Sequence, residues 1–399
     1  MKQNTKKPQI SILFFFYTFA GVLGVLYSAA LPGLKDYFQV TKADAQKTLA
    51  FYLIGCLLAQ IVYAPLTKAL GRKPTIYIGC SLALLGSVLC LIGIETNAFS
   101  LLLFGRGVTA FGAACGLTLT SILISDALSL HEQKKILSYL ISGFAIIPAI
   151  SVTVGGFITE YVSWQGCFYF MLLYSVVVSG LCIFLPETAK DKGAHHLHVM
   201  RIAKSYFKQF SQGLPVLYAM IIACASVIFY PFAAEAPFIA KNLLHISADR
   251  FGLYNLIPNI GLFLGGIASA HLSHRFSSKT LILIGGCAFF LFSIAMWTLF
   301  EVNLLNDITL FGMPVLIFLV SPTILSQGRA CSLAASEDKV YASSVVYIIV
   351  YFLRYLSIVF LGFFPAQDTS ALPIVYSCAG FLIIILWIVV QVVTKRRCS

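Results

Sequence analysis

Charge is scarce in this 399-residue sequence: Asp, Glu, Lys and Arg make up 11% of it, and only 15 residues are acidic. A soluble domain carries about a quarter of its residues as charges, so a water-exposed surface of ordinary size is excluded. Long polar segments are missing too. The longest, 187–213, is too short to be a domain of its own. No soluble module is left on which a basic groove for nucleic acid could be built, despite a formal net charge of +12. No GxxxxGKS/T loop, HExxH or GxSxG occurs, which removes an ATP-cradling loop and the commonest hydrolytic signatures. None of the eleven cysteines forms a CxxC. Ten lie in or beside apolar stretches and Cys398 lies in the tail, so they read as small apolar fillers and not as a disulfide frame.

Apolar length is what the chain has in abundance, with 59% hydrophobic residues and a mean hydropathy of +0.91. A membrane-spanning helix needs about 20 such residues, and the pattern predicts twelve, at 10–33, 48–70, 75–95, 99–125, 136–160, 166–186, 214–240, 250–272, 280–300, 307–327, 341–364 and 371–394. Lys2, Lys6 and Lys7 lead directly into the first span without a small-residue cleavage site, so it reads as a transmembrane helix and not as a removed signal peptide. The expected class is an all-α membrane protein whose twelve transmembrane helices form two six-helix pseudo-repeats. The expected division is an N-terminal half at 1–186, a cytoplasmic linker at 187–213 and a C-terminal half at 214–399. The linker holds a His195, His196, His198 group that lacks a fourth ligand, so no metal is expected there.

Placing both termini in the cytoplasm puts twenty Lys and Arg in cytoplasmic segments against five in outer loops, which is the bias that orients membrane proteins. The halves echo each other: Leu66 to Lys73 joins spans two and three, and Leu272 to Lys279 joins spans eight and nine with a similar pattern, as duplication of a six-span unit predicts. In the first of these turns, the elbow Gly71-Arg72-Lys73-Pro74, the cations Arg72 and Lys73 are expected to reach Asp126 across the inner face and act as a conformational gate. Gly112-x-x-x-Gly116 and Gly261-x-x-x-Gly265 mark close helix contacts.

Ionisable residues inside spans are costly and mark solute or proton paths. Three stand out: Arg106 in span four, Glu235 in span seven and Arg354 in span eleven. Arg354 has two readings, an interhelical tie to backbone carbonyls or to an acidic partner, and an anchor for a substrate anion. Glu235 lies between Pro231 and Pro237, which interrupt the helix and free carbonyls for a cavity. Gln327, at the end of span ten, is a lesser cavity candidate. An embedded transferase would need a His/Asp or paired-carboxylate cluster at one interface; Asp126, His131 and Glu132 come nearest and look like a cytoplasmic elbow.

Several motifs together resemble a known family. They are Ala30-Leu31-Pro32 closing span one, the elbow at Gly71, Arg106, Ser125-Asp126, Gly155-Gly156, Ser163-Trp164, Pro186-Glu187-Thr188, Ala236-Pro237-Phe238, Phe251-Gly252 and Ala342-Ser343-Ser344. The chain resembles the major facilitator transporters, and among them the Bcr/CflA drug-resistance group, over nearly its whole length. That resemblance implies a cavity position for Tyr27 and a coupling role for Arg106. The chain departs from the pattern at Val25, where the group usually has an acid, and at Ala29, Ala64, Lys68, Ser125 and Val152.

The resemblance implies a secondary active transporter in a bacterial-type inner membrane, a monomer without cofactor, working by alternating access. Its expected task is proton-coupled efflux of drug-like or amphiphilic compounds. Two arginines against one glutamate in the spans keep open transport of an anionic metabolite or a polycarboxylate siderophore in either direction, and the missing acid at Val25 keeps open a membrane sensor that does not transport.

Overall fold

The computed structural model describes residues 8–188, 199–336, 339–365 and 368–398, and the histidine group of the linker lies outside them. The described residues form helices and turns. Span one is α1 (Ile10–Val25), a 3-10 turn at Ser28–Ala30 and α2 (Leu31–Phe38). Then follow α3 (Lys42–Leu70), α4 (Arg72–Glu95), the pair α5 (Phe99–Ala113) and α6 (Cys115–Ala127), α7 (Leu130–Tyr161) and α8 (Gly166–Cys182). A short α9 (Val199–Phe210) stands in the expected linker. The second series is α10 (Gly213–Ala225), a 3-10 turn at Ser226–Ile228 and α11 (Phe229–Asn242), then α12 (Ala248–Tyr254) with α13 (Leu256–Leu272), α14 (Ser278–Glu301), α15 (Asp307–Ala334), α16 (Lys339–Leu361) and α17 (Ala371–Cys398). Ten of these segments are long and apolar enough to cross a membrane, and the apolar helices at Ile146–Tyr161 and Gly166–Cys182 complete the expected twelve.

The ends of these helices correct the hydropathy reading in a physical way. Span two begins at Lys42, six residues before the expected 48, because Thr41 and Asp44 close a capping box that satisfies the first free N–H groups. Ser129 and Glu132 do the same for α7. Span one runs on to Phe38 because Pro32 occupies the first turn of α2, where a missing N–H costs nothing.

Both small-residue motifs lie at helix contacts. A Cβ on Gly112 would fall 2.2 Å from the backbone nitrogen of Ala83, and one on Gly116 1.9 Å from the carbonyl of Phe16. Gly261 and Gly265 press equally closely on the carbonyls of Val315 and Leu319 in α15.

The two series of helices meet through α3 with α16, α7 with α12 and α13, and α2 with α11. Polar bonds between them gather at the end of the bundle opposite Ile10 and Cys398. There Thr153 donates to the carbonyl of Gly252 at 2.8 Å, the Ala248 N–H donates to Glu160 at 3.0 Å, and Tyr161 donates to Asp249 at 3.2 Å. At the terminus side, α9 spans the gap. Its Tyr206 hydroxyl donates to the carbonyl of Gln60 at 3.4 Å, and its Gln209 amide donates to Ser336 at 3.2 Å.

Candidate functional site

The helix breaks of spans one and seven each meet an arginine. α1 ends at Val25 ahead of its 3-10 turn, so its last carbonyls lack intrahelical donors. Arg106 supplies them: its Nη1 donates to the carbonyl of Leu23 at 2.9 Å and its Nη2 to that of Gly24 at 3.2 Å. The guanidinium is sandwiched between the rings of Tyr27 and Tyr52, at 4.3 and 4.4 Å from their centroids. Those rings are held in turn, Tyr27 donating to Thr48 and Tyr52 to the carbonyl of Ala20, both at 2.7 Å. Arg106 is fully buried and only its Nε lacks a partner.

At the second break, the Nε of Arg354 donates to the carbonyl of Ser226 at 3.1 Å and to its hydroxyl at 3.2 Å. The guanidinium lies 5.2, 5.6 and 5.8 Å from the ring centroids of Phe229, Tyr230 and Tyr351. Among the described residues its Nη nitrogens have no acceptor. Nε thus ties α16 to the break through Ser226. Tyr230 joins the two breaks, since its hydroxyl fills the space where a Cβ on Gly24 would stand, 2.8 Å away.

Glu235 is not brought to either arginine. Its Oε1 accepts from the Nζ of Lys42 at 2.6 Å and its Oε2 from the amide of Gln46 at 2.7 Å, while that amide also reaches the carbonyl of Ala234 at 3.2 Å. The side chains of Lys42 and Glu235 are 4% and 1% exposed. Lys42 precedes the expected span 48–70, so by hydropathy it falls among the five outer-loop cations. Its signal was the polar pair at positions 42 and 46, four apart and so on one helix face, legible once Thr41 and Asp44 are recognised as the helix start.

At the elbow, one of the two cations reaches Asp126. The Nε of Arg72 pairs with Asp126 at 2.8 Å, but the Lys73 ammonium lies over the ring of its neighbour Tyr77 at 5.8 Å. Glu187 accepts from the backbone N–H groups of Arg72 and Lys73, each at 3.1 Å, and so caps α4 from beyond α8. Thr188 donates to Asp126 at 2.9 Å. Gly71 has φ +93°, and a Cβ there would stand 3.0 Å from the Glu187 carboxylate, so both conformation and space favour glycine. Gln327 accepts from the Ser278 hydroxyl at 2.8 Å; it joins α15 to the start of α14, away from the arginines.

A pocket of about 360 Å³ lies at the end opposite the termini, lined among others by Gly33, Trp164, Pro237, Lys241, Ser247 and Phe251. None of the candidate residues lines it. Among the described residues no group of His, Cys, Asp and Glu is placed to hold a metal ion.

Known proteins bear on this arrangement. The chain is 26% identical over 296 residues to an uncharacterized transporter of Rickettsia bellii, covering 71% of this chain and 70% of that protein. It is 22% identical over 279 residues to the bicyclomycin resistance protein homolog of Haemophilus influenzae, covering 68% and 69% of the two chains. It is 20% identical over 279 residues to multidrug resistance protein D of Escherichia coli, covering 70% and 69%. In fold it matches a D-xylose-proton symporter with a TM-score of 0.72 at 16% identity, over 95% of this chain and 96% of that one. The sequence profile described as Major Facilitator Superfamily matches residues 12–362. Profile, relatives and twelve-helix architecture agree: this chain belongs to the Major Facilitator Superfamily, a family of transporters and not of enzymes, and resembles its Bcr/CflA group.

Proposed function

We propose that the chain exports a small amphiphilic solute across the cytoplasmic membrane, coupled to protons, by rocking its halves 1–186 and 214–399 about a central cavity with both termini in the cytoplasm. The relatives named for drug resistance support export. The observation that carries the binding site is the half-open guanidinium of Arg354, set at the break of span seven among Phe229, Tyr230 and Tyr351. A broken helix at the bundle centre offers polar groups that an intact one hides. The bonds between the two series at the far end correspond to a state closed to the outside, and Glu235 is the titratable group whose protonation would release Lys42.

A second reading, transport of an organic anion such as a polycarboxylate, is favoured by the central charges. Among the described residues neither Arg106 nor Arg354 is paired with a carboxylate, so a negative group on the solute would complete the site.

Flux of ethidium and of salicylate into proteoliposomes under an imposed pH difference tests these readings. Arg354→Gln should abolish movement of whichever is carried, while the protein stays folded. Absence of flux for both, across a wider set of amphiphiles, would favour the sensor reading.

A further inference from the structure

Hydropathy assigns Arg329 to a turn, yet it stands within α15 on the terminus side of the bundle. Its guanidinium lies 4.8 Å from the ring centroid of Tyr347 in α16. Tyr17 of α1 belongs to the same neighbourhood, within electrostatic reach of both. α15 and α16 of the second series therefore meet at one cation, and Tyr17 of the first lies within its electrostatic reach.

Tyr347, Tyr351 and Arg354 are spaced by four and then three residues, which places them on one face of α16. The arrangement of arginine against tyrosine rings thus occurs twice along that face, once at Arg329 and again about 10 Å deeper at Arg354, by ~1.5 Å rise per residue. Among the described residues neither arginine pairs with a carboxylate. Ring faces attract a cation but do not neutralise it, and a guanidinium that lacks a carboxylate partner in a low-dielectric setting favours a planar oxyanion.

We infer that Arg329, Tyr347 and Tyr17 form a capture site for an amphiphilic organic carboxylate at the terminus-side mouth of the cavity, from which the ligand passes along the Tyr347 and Tyr351 face to Arg354. The inference rests on Arg354 as the solute-binding residue. The rings take the apolar body of the ligand and the two arginines take its carboxylate in succession.

Equilibrium binding to the full chain in lipid nanodiscs tests the site, with radiolabelled salicylate, benzoate and cholate, each beside its neutral amide. At least one acid should bind while its amide does not. Arg329→Gln should weaken that acid about tenfold, as loss of a charge-assisted bond does, and Arg329→Lys should restore part of the loss, which a merely structural role would not give. Should Arg329→Gln fail to fold, Tyr347→Leu provides the same readout. Amides binding as well as acids, no acid binding, or an affinity unmoved by these substitutions would overturn the site. Arg354-dependent flux of ethidium with no acid bound would leave the transport reading standing and remove this one. Arg329-dependent binding of an acid without flux of any solute would do the reverse.

Discussion

The Nζ of Lys42 and the Oε1 of Glu235 lie 2.6 Å apart, both almost wholly buried, and they join α3 of the first series to α11 of the second. A buried pair is stable only while both partners are charged and hydrogen-bonded, and the Gln46 amide on the other carboxylate oxygen completes that condition. Separating the two series at this end would break the pair, which the proposed proton coupling through Glu235 requires.

Removing one partner should therefore cost more than removing both. Lys42→Met leaves an unpaired buried carboxylate and should destabilise the closed state by about 3–5 kcal/mol, whereas Lys42→Met with Glu235→Leu should recover most of that loss. Melting temperatures of the three proteins check the order. In transport, Glu235→Gln should give a flat pH profile with exchange retained. An unaltered profile would place proton coupling elsewhere.

The elbow should behave differently, because its ion pair is partly in water. The side chains of Arg72 and Asp126 are 19% and 20% exposed, and such a pair contributes about 0–1 kcal/mol. Arg72→Ala together with Lys73→Ala should leave the melting temperature near wild type and slow transport. Glu187→Gln should slow it as well, since the α4 N–H groups that Glu187 caps would face a weaker acceptor. Normal rates in both would remove the elbow as a gate.

Much of this was legible in the sequence because a membrane restricts what a chain can do. Twelve apolar lengths and the small-residue motifs follow from hydropathy and spacing, and Arg106 and Arg354 stand out because charge within a span is rare. Partnership across helices was not legible. Glu235 had an arginine or a lysine available, and only the relative register of α3 and α11 selects Lys42. Glu187 was recognised as part of a motif, but its contact with the start of α4 depends on how α8 returns to the elbow. Lys42 itself was misplaced because hydropathy sees an exposed-looking cation where a capping box has already begun a helix.

Close packing offers a control for stability without charge. Gly265→Ala would place a methyl 2.0 Å from the carbonyl of Leu319, and Gly116→Ala one 1.9 Å from that of Phe16. Backbone atoms cannot move aside as side-chain ends do, so each should lose about 1–3 kcal/mol or more. Gly180→Ala meets nothing within 4 Å, and it should be neutral or slightly stabilising because alanine favours the helix by about 1 kcal/mol. Equal melting temperatures for all three would mean that α13 and α15 do not approach as closely as described.

The two central arginines should separate by phenotype. Arg106 is enclosed by Tyr27 and Tyr52 and spends both Nη nitrogens on the carbonyls of Leu23 and Gly24. Arg106→Gln would orphan those buried acceptors, each at about 1–3 kcal/mol, and should lower the melting temperature before it alters specificity. Arg354 spends only Nε on Ser226, so Arg354→Gln should stay folded and lose the stabilisation that a bound solute gives, which grows with ligand concentration over the dissociation constant. Thermal unfolding of both variants with and without saturating solute distinguishes the roles. If Arg106→Gln melts like wild type and loses the solute-dependent shift instead, Arg106 and not Arg354 is the residue that meets the solute.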